Sequence, residues 1–304
     1  MSRHLGLDLG GSAIKAVVLE RGDDAYERVH VGVTPTEAAA EPGRIVDQLG
    51  EVGARVSDLV GGVDTAGITI PGLFDHGTGI AEFVTNLGGE TWDGTPVREP
   101  VAASLGVPTA LINDARAFGF GEARLGAARG CDTAAFFTLG TGVGGAVVVG
   151  GRLQLGLGNA GELGHQTVDP APDAPICGCG NRGCLEAHAR APAIASLGGR
   201  ASSEEVVEAA RAGDEQALRA LEQVGRWLGI GIANVIVSLN PERVVVGGGV
   251  AEAGDLVLEP ARVEVRRRVR VAPVERIAIV RAELGYEAGS IGAAVWGAEE
   301  AVSE

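Results

Sequence analysis

The sequence predicts an α/β protein built from two domains. Three observations carry that prediction. Short apolar runs alternate with amphipathic stretches along the chain, the pattern of strands alternating with helices. Two strand–glycine-turn–strand units open near residues 5 and 134, one at the start of each half. The length, 304 residues, suits two domains at about 100–200 residues each. An apolar fraction of 45% is ample for a core, and with aromatics at 4% that core must rest on Val, Leu, Ile and Ala.

The elements follow in order. Residues 5–8 and 13–19 are apolar runs joined by a Gly-Gly-Ser turn, a β-hairpin. Residues 65–70 and 109–112 are expected as buried strands, with helices over 44–60 and 96–105. Residues 134–139 and 145–149 form a second strand–turn–strand unit. From 150 to 183 the chain is irregular and holds three of the four cysteines. Ser202 and Glu205 have capping-box spacing, and Leu218, Leu221, Val224, Leu228 and Ile232 keep one helical face apolar. A strand at 243–246, a Gly-Gly-Gly run, another helix and a closing helix at 289–300 complete the chain. The division is expected near Asn113.

The net charge of −15 argues against binding nucleic acid or an anionic membrane, which call for a basic surface. It does not argue against ATP, because backbone N–H groups alone can build an anion site. No run reaches the ~18 apolar residues of a membrane helix. The N-terminus, with Asp8 so early, is unlike a signal peptide, so a cytoplasmic location is expected. In that setting cysteines read as metal ligands or free thiols before disulfides. Lys15 is the only lysine among 25 basic residues.

Asp8-Leu9-Gly10-Gly11-Ser12 and Gly140-Thr141-Gly142-Val143-Gly144-Gly145 share a design. Glycines turn the chain and let an anion approach backbone N–H groups, and one hydroxyl is at hand to donate. Asp8, at a strand end, is placed to hold Mg²⁺ through water. Residues 140–145 also spell G-x-G-x-x-G, but an apolar run follows where the dinucleotide motif needs a helix. Cys177, Cys179 and Cys184, with His165 upstream, make a Cys₃His set suited to structural Zn²⁺. Cys131 is isolated and reads as a free thiol, and His4, His30, His76 and His188 read as packing or surface residues.

Asn113-Asp114 ends an apolar run at the start of a helix. Asp114 there can accept a proton from a substrate hydroxyl, although on the motif alone a helix cap is the simpler reading. Glu162, Glu186 and Asn86 lie near the cysteine segment or on a Gly-rich loop. Carboxylates and amides together suit a sugar, whose hydroxyls need donors and acceptors.

These motifs resemble the ROK family (repressors, open reading frames and kinases), specifically its sugar kinases. The likeness spans nearly the whole chain and includes Lys15, Pro71-Gly72, Asn113-Asp114-Ala115, Ala160-Gly161-Glu162-Leu163-Gly164-His165 and Val246-Gly247-Gly248-Gly249-Val250. The cysteine motif with its upstream Glu-x-x-His is its most specific part.

The resemblance implies an actin-like ATPase (ribonuclease H-like) fold, two domains around a nucleotide and sugar cleft. Residues 1–113 plus 290–304 would form the small domain and 114–289 the large one, with a zinc segment at 165–184. It implies ATP-dependent phosphorylation of a hexose, foremost glucose at O6, with Asp114 as general base. Gly72, Asn86, Asn113, Asp114, Glu162, His165 and Glu186 would contact the sugar. Asp8, Gly10, Gly11, Ser12, Lys15, Gly140, Thr141, Gly142 and Gly144 would take the ATP phosphates and Mg²⁺, with Gly248 and Gly249 against adenosine. His165 would serve zinc and sugar through different ring nitrogens, and a homodimer or homotetramer is expected.

Metal removal is then expected to disorder residues 165–186 and weaken sugar binding, with ATP binding less affected. Ser12, Arg116, the loop at 86–92 and residues 187–190 depart from the family's usual pattern. The last two bear on which sugar is taken, so fructose, mannose, allose and N-acetylhexosamines stand as alternatives to glucose. Polyphosphate is the alternative donor, and a non-catalytic sugar sensor the alternative class. A regulator of this family would carry a helix-turn-helix ahead of the first hairpin, which here opens at residue 5, so a kinase is expected.

Overall fold

The computed structural model describes residues 1–23, 25–84, 87 and 91–301. The chain divides into two compact units. The first comprises Met1–Arg124, Leu155–Asn159 and Tyr286–Glu304, and the second Leu125–Gln154 and Ala160–Gly285.

In the first unit the chain runs β1 (Ser2–Leu9), β2 (Ala13–Arg21), β3 (Tyr26–Pro35), α1 (Pro42–Leu59) and β4 (Thr65–Ile70). It continues through β5 (Gly72–Phe74), β6 (Ile80–Val84), β7 (Thr95–Pro96), α2 (Arg98–Leu105), β8 (Thr109–Asn113) and α3 (Asp114–Arg124). The main sheet has the order β3-β2-β1-β4-β8, and β5, β6 and β7 form a small separate sheet. β1 pairs antiparallel with β2 but parallel with β4, which pairs parallel with β8. Such central strands are covered on both faces, so β4 buries all six of its residues. β3, at the edge, alternates between half-buried and exposed positions along much of its length and gave no strand signal in the sequence.

The second unit holds β9 (Ala134–Leu139), β10 (Val143–Val149), β11 (Arg152–Leu153), α4 (Leu185–Ala189), α5 (Ala191–Gly198), α6 (Ser203–Arg211) and α7 (Glu215–Leu239). β12 (Arg243–Gly247), α8 (Asp255–Arg268) and β13 (Ala278–Arg281) follow. Its sheet, β11-β10-β9-β12-β13, has the same plan as the first: an antiparallel hairpin followed by two parallel strands. Helix α7 is long because both ends are well marked. Asp214 caps its N-terminus, accepting from Ala217 N at 2.8 Å, and Asn240 ends it in left-handed backbone. The face read from the sequence is fully buried at Leu221, Val224, Leu228 and Ile232, whereas Leu218 is 36% exposed. Ser202 Oγ accepts from Glu205 N, as the capping spacing predicts.

The closing helix α9 (Ala288–Glu300) belongs to the first unit and lies across its sheet. Only glycine permits that approach. A Cβ on Gly6 or Gly67 would sit 1.8 Å from the carbonyl oxygen of Ser290 or Ala293. Helix α3 packs along α9, with Gly292 against Ala117 O, and so stays with the first unit. The division expected at Asn113 therefore falls one helix earlier than the observed one. Among the described residues no helix is long and apolar enough to cross a membrane.

Candidate active site and metal centre

In the first unit the β1–β2 turn is closed by Gly10 N donating to Ala13 O at 3.0 Å. Thr36, just past β3, braces it by donating its hydroxyl to Gly10 O and its N–H to Ser12 O. Gly11 and Ser12 are exposed on this turn. Asp8 is 7% exposed and both carboxylate oxygens are engaged. Oδ1 accepts from Thr69 Oγ1 at 2.7 Å, and Oδ2 from Lys15 Nζ at 2.9 Å. The register makes this possible, since Asp8 lies opposite both Lys15 and Thr69. The Lys15 ammonium also sits 4.2 Å from the ring centroid of Tyr286. Thr36, Thr69 and Tyr286 were not found from the sequence. Their contacts depend on strand register and on the 3₁₀ turn that leads into α9, which leave no local signal.

At the end of β8, Asn113 takes the capping duty. Its Oδ1 accepts from Ala115 N at 3.0 Å and Arg116 N at 3.2 Å. Its Nδ2 donates to Gly72 O at 3.1 Å, which ties this strand end to the Pro71-Gly72 turn. Gly72 has φ of 145°, and a Cβ there would lie 2.0 Å from Phe83 O. Asp114 stands in the first turn of α3, its Oδ1 accepting from Ala115 N at 2.8 Å. Gly72, Asn113 and Asp114 are thus brought together. Arg116 is 2% exposed. Asn86 lies outside the described residues.

In the second unit the β9–β10 turn is tighter than the motif suggested. Gly140 N donates to Gly142 O, and β10 starts at Val143. Gly144 therefore sits in the ladder, paired with Thr138, rather than on the turn with Gly140, Thr141 and Gly142. Gly248, with φ of 84°, packs against β9, where a Cβ would meet Leu139 O at 2.3 Å. Gly249 opens a 3₁₀ turn.

His165, Cys177, Cys179 and Cys184 place their ligand atoms within 4.8 Å of one another. His165 Nδ1 is 3.5 Å from Cys177 Sγ, and Cys179 Sγ is 3.7 Å from Cys184 Sγ. Two thiolates about 2.3 Å from a tetrahedral Zn²⁺ would stand about 3.8 Å apart, so the set fits that ion. Burial pushes the Cys177 thiol up to about 12 and raises Cys184. The Asn181 backbone N–H pulls Cys179 down. Metal binding must displace the protons that burial retains. The other ring nitrogen of His165, Nε2, faces Glu162 Oε2 at 3.8 Å.

Glu186 lies on α4, whose N-cap is Cys184. Its Oε2 accepts from Val143 N at 3.0 Å, and its Oε1 is 3.3 Å from Cys177 Sγ. On the same helix His188 stacks on Trp227 at 4.2 Å between centroids, with Nε2 3.4 Å from Asp169. Burial lowers the His188 pKa, against the opposing pull of Asp169. Glu162, His165 and Glu186 are thus gathered around the cysteines. Cys131 stands apart, half-buried, with burial raising its thiol.

Residues 4–300 match the ROK family. A glucokinase from Streptomyces coelicolor is 32% identical, with 97% of each chain covered. An N-acetylmannosamine kinase from Haemophilus influenzae is also 32% identical, over 97% of this chain and 95% of that protein. Among solved structures, a ROK family glucokinase from Streptomyces griseus in complex with glucose and AMPPNP superposes with a TM-score of 0.82. It is 31% identical over 98% of this chain and all of that one. That likeness makes the α/β fold, with its two sheets of one plan, the actin-like ATPase fold. A match that begins in β1 and runs through α9, taking in the glycine turns and the Cys₃His cluster, leaves one assignment: the chain belongs to the ROK family.

Proposed function

We propose that this protein is an ATP-dependent hexose kinase that phosphorylates glucose at O6, with Asp114 as general base. One observation carries the reading. Asp114 opens α3 where β8 ends, directly after Asn113, whose side-chain amide holds the Gly72 turn, so a carboxylate stands at a strand end beside two polar groups. The ROK kinases similar in sequence along nearly the whole chain support a sugar kinase.

Asp114 accepts the proton of the sugar hydroxyl, and that oxygen attacks the γ-phosphorus in line. Gly72, Asn86 and Asn113, and separately Glu162, His165 and Glu186, are the proposed sugar contacts. Gly10, Gly11, Ser12, Lys15, Gly140, Thr141, Gly142 and Gly144 are proposed for the phosphates, with Gly248 and Gly249 for adenosine. Asp8, already oriented by Thr69 and Lys15, would hold the Mg²⁺ that accompanies ATP and offsets phosphate charge. His165, Cys177, Cys179 and Cys184 would hold a structural zinc. His165 keeps Nε2 for the sugar side while Nδ1 faces the cysteines. We place the enzyme in the cytoplasm as a homodimer or homotetramer.

The test is ADP release from Mg-ATP by pure, zinc-replete protein against a panel of hexoses. N-acetylhexosamines are included because a relative of equal identity is an N-acetylmannosamine kinase. We expect sugar-dependent release, highest with glucose. Asp114→Asn should lower kcat by about 10²–10⁴-fold, the usual contribution of general-base catalysis, with sugar affinity preserved. Release with no sugar on the panel would overturn the kinase assignment, and near-wild-type turnover in the variant would overturn the role of Asp114.

A further inference from the structure

We propose that Glu186 is the positioning residue through which the metal-ligand segment holds the shape of the glycine hairpin at residues 140–145. The metal site would then govern the grip on the donor's phosphate chain as well as the sugar side.

The argument starts from the hairpin. A turn of Gly140, Thr141 and Gly142 has little side chain of its own to stiffen it, so its shape depends on what it leans against. Val143, the first residue past the turn, is 2% exposed, and its N–H is bonded to Glu186 Oε2 at 3.0 Å. A buried amide must have a partner, and here a carboxylate supplies it. The carboxylate lies against the turn itself, since a Cβ on Gly142 would come within 2.6 Å of Glu186 Oε2.

Glu186 is in turn set by the candidate ligands. Cys184 is the N-cap of its helix, and Cys177 Sγ is 3.3 Å from its other oxygen. Two further contacts come from the same part of the chain. Ala191 N donates to Gly140 O at 2.7 Å, and Gly164, beside His165, packs onto Val143 O, where a Cβ would fall at 1.8 Å. Ordering residues 164–191 around a metal therefore orders the hairpin. The expectation that metal loss would leave ATP binding less affected is revised accordingly. The part of this inference that concerns phosphate rests on the kinase reading above.

The test is calorimetric binding of Mg-AMPPNP and of adenosine, without sugar, to zinc-loaded wild type, Glu186→Ala and Glu186→Gln. Hydrogen exchange over residues 140–145 is measured alongside. Leaving sugar out removes any contribution from Glu186 as a sugar contact. Glu186→Ala should weaken AMPPNP about tenfold, the size of one charge-assisted hydrogen bond, leave adenosine unchanged and speed exchange at Val143. Glu186→Gln should largely retain binding, because its amide oxygen still accepts from Val143 N–H. Chelating the metal from wild type should reproduce the alanine variant. Wild-type AMPPNP affinity in Glu186→Ala, or equal loss for adenosine and AMPPNP, would overturn the proposal. If zinc-loaded wild type binds no AMPPNP, the kinase reading fails, and exchange at Val143 decides the positioning claim: unchanged protection in Glu186→Ala overturns it, and faster exchange supports it.

Discussion

Replacing Gly67 by alanine tests how α9 is seated. The added Cβ would lie 1.8 Å from Ala293 O, 2.6 Å from Ala293 C and 3.0 Å from Gly297 N. Real Cβ atoms do not approach closer than about 3.0 Å, so β4 and α9 must separate by about 1.2 Å. Neither side can yield locally. Every residue of β4 is buried, and the atoms struck belong to helix backbone. A gap of that size forfeits about half or more of the dispersion energy where the helix lies on the strand, at residues that include the fully buried Ala293. Overpacking usually costs about 1–3 kcal/mol, and a rigid backbone clash belongs at the upper end. At about 2–4 °C per kcal/mol for a body of this size, the melting temperature should fall by roughly 6–12 °C. Scanning calorimetry of Gly67→Ala beside Gly43→Ala reads this directly. Gly43, in α1, has nothing within 4 Å, so alanine there should be neutral or slightly stabilising. A melting temperature for Gly67→Ala equal to that of Gly43→Ala would refute the reasoning.

Gly289→Ala should separate activity from stability. Its Cβ would meet Asp8 Oδ2 at 2.8 Å, so the carboxylate must leave Thr69 and Lys15, while the helix gains up to about 1 kcal/mol of propensity. Turnover should fall with the melting temperature little changed, and wild-type Mg-ATP kinetics would count against a role for Asp8 geometry. Acid should destabilise the fold below pH 6.5. Burial lowers the pKa of His4 and His188 from that ordinary imidazole value, so below it the unfolded chain binds protons that the folded chain refuses. Their contribution is complete above pH 6.5 and declines as pH falls. Denaturant titrations at pH 7.5 and 5.5 check this, and His4→Gln should flatten the slope.

The features legible in the sequence were the ones encoded by neighbours in the chain. Three cysteines within eight positions sit in a metal-sized cluster with His165, because short glycine-spaced loops have few other ways to fold. The strand at 65–70 was found to the residue, since a continuous apolar run is what a strand buried on both faces requires. What escaped was non-local. Thr69 reaches Asp8 only because β1 and β4 pair in one register, and Tyr286 reaches Lys15 from 271 residues away. The extent of the turn in Gly140–Gly145 escaped for a related reason: letters alone do not say that it ends at Gly142 and that Gly144 and Gly145 belong to a strand.

The glycines also separate into two kinds that the sequence cannot distinguish. At Gly6, Gly67, Gly164 and Gly248 a Cβ would strike backbone within 2.3 Å, so the fold alone demands glycine. At Gly140 and Gly249 a Cβ would meet nothing within 4 Å, and neither has positive φ. Packing therefore gives no reason for glycine there. Space left open beside backbone N–H groups is what an approaching phosphate or nucleoside requires. Gly43 is equally open, so free space at a glycine does not by itself mark a ligand, and the proposed ATP contacts at Gly140 and Gly249 rest on the binding test instead. The conformation of Gly248 is demanded by the close approach of Leu139, so its being glycine is explained by the fold, whatever it does beside the 3₁₀ turn that Gly249 opens.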